Sequence, residues 1–233
     1  MPELPEVQTV INSLQKATSK QIVSFTPLWK KVCYNKNSSS IVNKIKNKSI
    51  EKITRRGKYI IIRLNINYII FHLRMTGYLY QSNTLIRNKH LRCYFKLDNS
   101  TYLLYEDIRK FGGFYYDENL NFLKNKIGID PILDKDFTSK WLNINLKMKN
   151  RQIKSLFLDQ RFICGLGNIY IDEILWRSNI HPRTISSCLN KKSINLLFKN
   201  ILVVLRDSLN HHGTTIINFK FDNMKTGDYR NKL

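Results

Sequence analysis

The sequence is short of acidic residues, of cysteine and of long apolar runs. Seventeen Asp and Glu stand against 39 Lys and Arg in 233 residues, a formal net charge of +22. Such an excess favours a polyanionic partner, either nucleic acid or an acidic membrane surface. Asn-, Ile- and Lys-rich stretches such as NKNSSSIVNKIKNKSIEK are also what an AT-rich coding sequence accumulates, so part of the excess reads as drift. The four cysteines, Cys33, Cys93, Cys164 and Cys188, are scattered, with no C-x₂-C pair and no His at ligand spacing. That pattern argues against a zinc site and, with no secretory signal at the front, against a disulfide framework. No apolar stretch approaches membrane-spanning length. No cationic amphipathic helix carries bulky apolar anchors, which disfavours a membrane-surface role. The expectation is a monomer in a reducing, cytoplasmic compartment.

What is present supports a packed protein: 42% of residues are hydrophobic and 12% aromatic. From Pro5 to about Lys16, Val7, Val10, Ile11 and Leu14 repeat at helical spacing, with Pro5 placed for a first turn. A short helix is expected over roughly 38–45. Between about 20 and 116, eight β-branched or aromatic runs (QIVSFTPLW, KSIEKITRR, KYIIIRL, NYIIFHL, GYLYQ, RCYFKL, STYLLYED, FGGFYY) are separated by Asn, Ser, Asp and Gly. They predict an antiparallel sandwich or barrel. The pattern changes at GIDPILDKDF, residues 128–137, which reads as a linker; the chain beyond it reads helical. Ile194, Leu197, Phe198, Ile201, Leu202, Leu205 and Leu209 form one long stripe that stops at HHG, where Gly213 suits a C-terminal cap. The fold class is therefore α+β: an N-terminal helix with an antiparallel β-sandwich over 1–127, then a helical domain over 128–233.

Several stretches carry candidate chemistry. In MPELPE, removal of Met1 would leave Pro2 as a free secondary amine, and an α-amino group titrates near pKa ~8. Such an amine attacking a sugar C1′ gives an iminium, the electron sink for β-elimination. Glu3 beside it could supply or remove a proton, while Glu6 reads as a dipole-complementing or orienting carboxylate in the first turn of the helix. In ICGLGNIYIDEIL, a Gly-rich turn enters a helix at Asn168, which suits either a phosphate or an ordinary N-cap. Lys149, Arg151, Lys154 and Arg161 lie just upstream and add charge. Lys58 follows a glycine at the entry to a strand. Met75, Arg109 and Phe111 fall on β-rich turns and are the side-chain types that fill a stack vacated by a flipped nucleotide. From composition alone, however, Met75 and Phe111 read as core and Arg109 as a solvated charge.

Taken in order, MPELPE, RRGKY, HLRMTG, DIRKFGG, IKSLFLDQ, GLGNIYIDE and GTTIINF resemble the formamidopyrimidine-DNA glycosylase family along essentially the whole chain. The resemblance implies a β-sandwich followed by a helix–two-turns–helix domain, and a repair enzyme acting on damaged double-stranded DNA. It implies Pro2 as Schiff-base nucleophile, Glu3 as the acid in sugar-ring opening and Lys58 as the β-elimination residue. His90, Arg109 and Lys149 would contact DNA, Asn168 would clamp a phosphate, and Met75, Arg109 and Phe111 would fill the void left by the lesion. Oxidised purines are the implied substrates; an endonuclease VIII-like enzyme for oxidised pyrimidines is the alternative, disfavoured by Leu4 because that relative begins MPEGPE. A non-catalytic DNA-binding relic is a third reading.

Two departures stand out. The family continues past a tyrosine like Tyr229 into a four-cysteine zinc finger, whereas this sequence reads DYRNKL to Leu233. The expectation is an absent finger, no metal or cofactor and weaker DNA binding, with strand cleavage that stalls after β-elimination or, as the alternative, goes on to β,δ-elimination. The loop over 214–229, which in the family covers the flipped base, reads TTIINFKFDNMKTGDY and leaves the preferred base open.

Overall fold

The computed structural model describes residues 1–124, 126–214 and 227–229; of the loop expected to cover a flipped base, 214–229, residues 215–226 lie outside the described residues. Helix α1 spans Leu4–Leu14, followed by a 3-10 turn, Gln15–Ala17. Its entry is fixed by the Glu3 backbone N–H donating to Glu6 Oε2 at 2.8 Å, one half of a capping box. Val7, Val10, Ile11 and Leu14 are buried in the sandwich core, whereas Leu4 is buried in the helical core. One short helix thus belongs to two cores.

All eight expected strands form: β1 (Gln21–Pro27), β2 (Lys48–Arg56), β3 (Tyr59–Leu64), β4 (Tyr68–His72), β5 (Gly77–Ser82), β6 (Leu91–Leu97), β7 (Tyr102–Asp107) and β8 (Gly113–Asp117). Between β1 and β2, a 3-10 turn over Ser38–Ile41 runs into α2, Val42–Ile45, where a short helix was expected. The strand order is β5-β7-β6-β1-β2-β3-β4-β8, with every pairing antiparallel. The β1–β2 pairing has only two register pairs, Gln21↔Ser49 and Ile22↔Lys48, with bulges just beyond it on both strands. A bulge bends a strand, and here the sheet folds over on itself. Phe25 and Phe95 from one half meet Phe114 and Phe71 from the other at 5.8 and 6.3 Å between ring centroids, the inner layer of a sandwich.

After a short α3 (Asn121–Lys124) come α4 (Ser139–Lys147), α5 (Ile153–Leu158), α6 (Asn168–Arg177) and α7 (Lys191–Asn210). Thr138 caps α4 by accepting from Trp141 N, and Asn190 caps α7 by accepting from Ser193 N. Ile194, Leu197, Ile201 and Leu205 of the expected α7 stripe are buried against Leu142, Leu146, Ile171 and Ile174. None of the helices among the described residues is long and apolar enough to cross a membrane.

The stretch read as a linker is a clamp as well. Asp130 is fully buried and accepts from Arg55 Nη1 at 2.6 Å and Nη2 at 3.3 Å. Its carboxylate also takes the N–H groups of Gly57, Ile132 and Leu133. Arg56 pairs with Asp134, whose other oxygen accepts from Asp130 N at 2.7 Å. Burial alone would raise the Asp130 pKa; the Arg55 charge and the hydrogen bonds hold it below the ordinary value of 3.8. Asp130→Ala leaves Arg55 buried and unpaired, so it should cost about 3–5 kcal/mol in urea unfolding at pH 7. Because the folded pKa is depressed, the pair's contribution is intact above pH 3.8 and is lost as pH falls through the folded value. A cost below about 1 kcal/mol would mean that the clamp holds nothing.

Candidate active site

The N-terminal segment reaches the helical domain at the very start of α1. Leu4 N donates to Gly165 O at 2.9 Å. The Glu3 carboxylate, only 3% exposed, accepts from Gly167 N at 2.5 Å and from Ile169 N at 3.1 Å. It therefore sits on the free N–H groups at the start of α6, where a negative charge meets the positive end of the helix. Gly167, not Asn168, is the N-cap residue, so the ordinary-cap reading of Asn168 fails; Asn168 is the first helical residue and its side chain is exposed. A Cβ on Gly167 would lie 2.4 Å from Glu3 Oε1 and 2.8 Å from Lys58 Nζ. Both side chains converge on that glycine, and no larger residue fits there without moving one of them.

Burial raises the Glu3 pKa to about 7, against the opposing pull of Lys58 and the two backbone N–H groups; the nearby Glu6 carboxylate adds to the rise. Lys58 is 4% exposed, and burial lowers its pKa while Glu3 and Glu6 oppose that shift. Beside it, His72 is held neutral, to about 3, by burial and by the Arg74 and Lys58 cations; its Nδ1 accepts from Arg74 N at 3.0 Å. Pro2 is buried next to this cluster in sequence. Glu6 has the orienting role expected of it. Its carboxylate accepts from Glu3 N, from Thr214 N at 2.6 Å and from the Tyr170 hydroxyl, which in turn accepts from Ser208 Oγ at 2.6 Å. Thr214 bridges to Asp228, so Glu6 also holds the root of the 215–226 segment.

A second group forms at the sandwich tip. Met75 and Phe111 are 47% and 50% exposed, which overturns their reading as core residues. Arg109 lies between them: Nη1 is 3.1 Å from Met75 Sδ and Cζ is 4.4 Å from the Phe111 ring centroid. His90, half-buried, precedes β6 and its carbonyl accepts from Asp107 N at 2.9 Å, two residues before Arg109. Lys149 stands apart on the exposed α4–α5 turn, its carbonyl accepting from Ser186 Oγ at 2.7 Å. Of the basic residues upstream of α6, Arg151 and Arg161 pair with Asp159 and Lys154 pairs with Asp172. These pairs moderate the mobile charge expected there. Cys33, Cys93 and Cys164 are buried and Cys188 is exposed, and no group of three or more His, Cys, Asp or Glu among the described residues is placed to hold a metal. These cysteines do not fit the zinc site of the family resembled.

Residues 1–114 match the formamidopyrimidine-DNA glycosylase N-terminal domain, and residues 127–220 match the H2TH domain of the same family. The chain belongs to the formamidopyrimidine-DNA glycosylase family. It is 36% identical over 226 residues to the formamidopyrimidine-DNA glycosylase of Streptococcus agalactiae serotype III, covering 94% of this chain and 82% of that protein. With the Mycoplasma genitalium enzyme of the same name it shares 37% over 239 residues, covering all of this chain and 84% of that protein. The Lactococcus lactis Fpg in complex with DNA containing an abasic site superimposes with a TM-score of 0.90 at 33% identity, over 99% of this chain and 86% of that one. The wild-type L. lactis Fpg bound to DNA containing N7-benzyl-Fapy-dG gives a TM-score of 0.90 at the same identity, over 100% and 87%.

Sequence reasoning missed Gly167 as the meeting point, Asp107 and Asp130 as anchors, and neutral His72. A buried acid has no local signature; only a three-dimensional neighbour marks it. The Glu3 geometry sets one expectation. Because its folded pKa lies above the unfolded value of 4.5, wild type loses stability as pH rises from 4.5 to about 7. The stability difference between Glu3→Gln and wild type, measured by urea unfolding, should therefore move in favour of Gln by roughly 3 kcal/mol across that window. A difference that stays flat with pH would place the raised titration elsewhere.

Proposed function

We propose that this chain is a DNA glycosylase for oxidised purines, 8-oxoguanine and formamidopyrimidines, that also nicks the abasic site as a lyase. The observation that carries the reading is the convergence of Glu3 and Lys58 on Gly167, one residue from an N-terminal proline and one from Asn168. Once Met1 is removed, the Pro2 secondary amine attacks C1′ of the damaged nucleotide as the base leaves. Glu3, kept protonated to about pH 7 by burial, donates a proton as the sugar ring opens. The cationic iminium at C1′ then acidifies the C2′ hydrogens. Lys58, whose burial favours the neutral amine, takes one of them, and the C3′–O bond breaks. Each step uses an amine or a carboxyl of this chain, so the reading requires no metal or cofactor.

DNA is held by phosphate contacts at Asn168, Lys149 and His90, while Met75, Arg109 and Phe111 enter the stack that the lesion leaves. Unstacking costs a few kcal/mol, which those contacts offset. The net charge of +22 makes the binding strongly salt-dependent. A monomer in the compartment that holds the DNA completes the reading. The pyrimidine alternative is not favoured, since Leu4 departs from the start of that relative and the matched proteins bear the purine enzyme's name.

Borohydride trapping on a duplex with 8-oxoguanine opposite cytosine tests the reading, after mass spectrometry has confirmed loss of Met1. A covalent adduct should form, and Pro2→Gly should lower base excision by at least about 10²-fold with DNA affinity retained. Excision should fall as pH rises above about 7, where Glu3 gives up its proton. Full excision by Pro2→Gly would rule out the nucleophile. No adduct, even on an abasic duplex, would leave a DNA-binding relic.

A further inference from the structure

The three side chains at the sandwich tip come from two turns more than thirty residues apart, Met75 from β4–β5 and Arg109 and Phe111 from β7–β8. Exposed side chains on separate turns do not stay together by contact alone, because a sulfur–guanidinium contact and a half-exposed cation–π pair are weak. Beneath them lies Asp107, the last residue of β7, with no exposed surface. Its Oδ1 accepts from the Thr76 hydroxyl, next to Met75, and from Arg109 N at 3.1 Å. Its Oδ2 accepts from Gly112 N at 2.7 Å, next to Phe111. Thr76 Oγ1 also accepts from Arg109 N, at 3.2 Å, which closes a ring of hydrogen bonds across the two turns.

The surroundings fix Asp107 itself. Its carbonyl accepts from Arg92 Nε at 2.8 Å and its N–H is held by the His90 carbonyl. The turns approach closely because the adjoining residues are glycines: a Cβ on Gly112 would lie 2.1 Å from the Tyr105 hydroxyl, and one on Gly77 would lie 2.8 Å from it. From the other side, the Tyr34 hydroxyl donates to the Phe111 carbonyl at 2.8 Å.

We propose that Asp107 is the positioning residue of the wedge, the carboxylate that joins the Met75 turn to the Arg109–Phe111 turn and assembles the trio before DNA arrives. The proposal rests on the reading of Met75, Arg109 and Phe111 as the residues that fill the vacated stack. A carboxylate is the group this position requires, since three donors point at two oxygens and both oxygens must accept. Asparagine would turn an amide NH₂ towards an N–H or O–H donor. The consequence is pre-organisation: without the link, each turn must be ordered during the encounter, at the expense of the flipped state.

The test compares two substrates that differ in their need for a wedge. A duplex with 8-oxoguanine opposite cytosine must be opened and its void filled; a single-stranded oligonucleotide with an abasic site has no opposite strand and no void. Asp107→Asn should slow single-turnover excision on the duplex by about 10²-fold and leave borohydride trapping on the single strand at the wild-type rate. Thr76→Val, which keeps the carboxylate and removes only the cross-turn link, should show the same selectivity to a smaller degree, and it decides the matter should Asp107→Asn fail to fold. Fluorescence of 2-aminopurine placed opposite the lesion should report slower wedge insertion in both variants. Wild-type duplex rates in both variants, beside a defective Phe111→Ala, would overturn the role of Asp107. So would equal loss on the two substrates, which marks a general structural defect. A Phe111→Ala variant with wild-type duplex kinetics would instead overturn the wedge reading, and the Asp107 proposal with it.

Discussion

The buried Glu3 carboxyl at the start of α6 is the contact on which the rest of the arrangement depends. It joins the extreme N-terminus, which the sandwich carries, to the first turn of a helix more than 160 residues later. Two opposing effects meet in that one group. Backbone N–H donors and the helix dipole favour the carboxylate, while removal from water favours the acid, and burial is the larger effect. The result is a carboxyl that can be in either state near neutral pH, beside an amine that burial has made less basic. A general acid and a general base need to be tuned in this way. Two further hydrogen bonds hold the backbone next to Pro2: Leu4 N donates to Gly165 O and Glu3 N to the Glu6 carboxylate.

The fold was largely legible in the sequence because it rests on local periodicity. All eight strands, the first helix and the α7 stripe follow from the spacing of β-branched, aromatic and aliphatic residues, and the structure places each where the pattern put it. The site was legible in a different way. Pro2, Glu3, Lys58 and Asn168 could be singled out by chemistry and by resemblance, but nothing in the sequence places Lys58 beside Glu3. That proximity requires the Gly57 turn, which Asp130 fixes through Gly57 N. Met75 and Phe111 show the reverse error: as side-chain types they belong in a core, and only their place on turns at the edge of the sheet brings them to solvent.

The scarcity of acid gains meaning when the carboxylates are located. Among the described residues, Glu3, Glu6, Asp107 and Asp130 are buried, and each ties together segments distant in sequence. Burying a carboxylate costs several kcal/mol unless donors surround it, and each of the four accepts at least two backbone or side-chain donors. Part of the chain's small stock of negative charge is thus spent inside, as joints.

This division bears on how a strongly basic protein can hold basic groups close together. Lys58, Arg74 and neutral His72 lie around one end of β3 and β4, and Arg55 and Arg56 lie just behind them on β2. Left to themselves these cations would repel one another and open the site. Asp130 and Asp134 neutralise the two arginines from the linker side, and burial, more than the opposing pull of Glu3, weakens the charge of Lys58. Asp130 and Asp134, which join the two parts of the molecule, are therefore also the carboxylates that keep a dense cluster of basic groups stable. The groups of that site are thus fixed in place by the fold itself, so little ordering would remain to oppose binding of a ligand there.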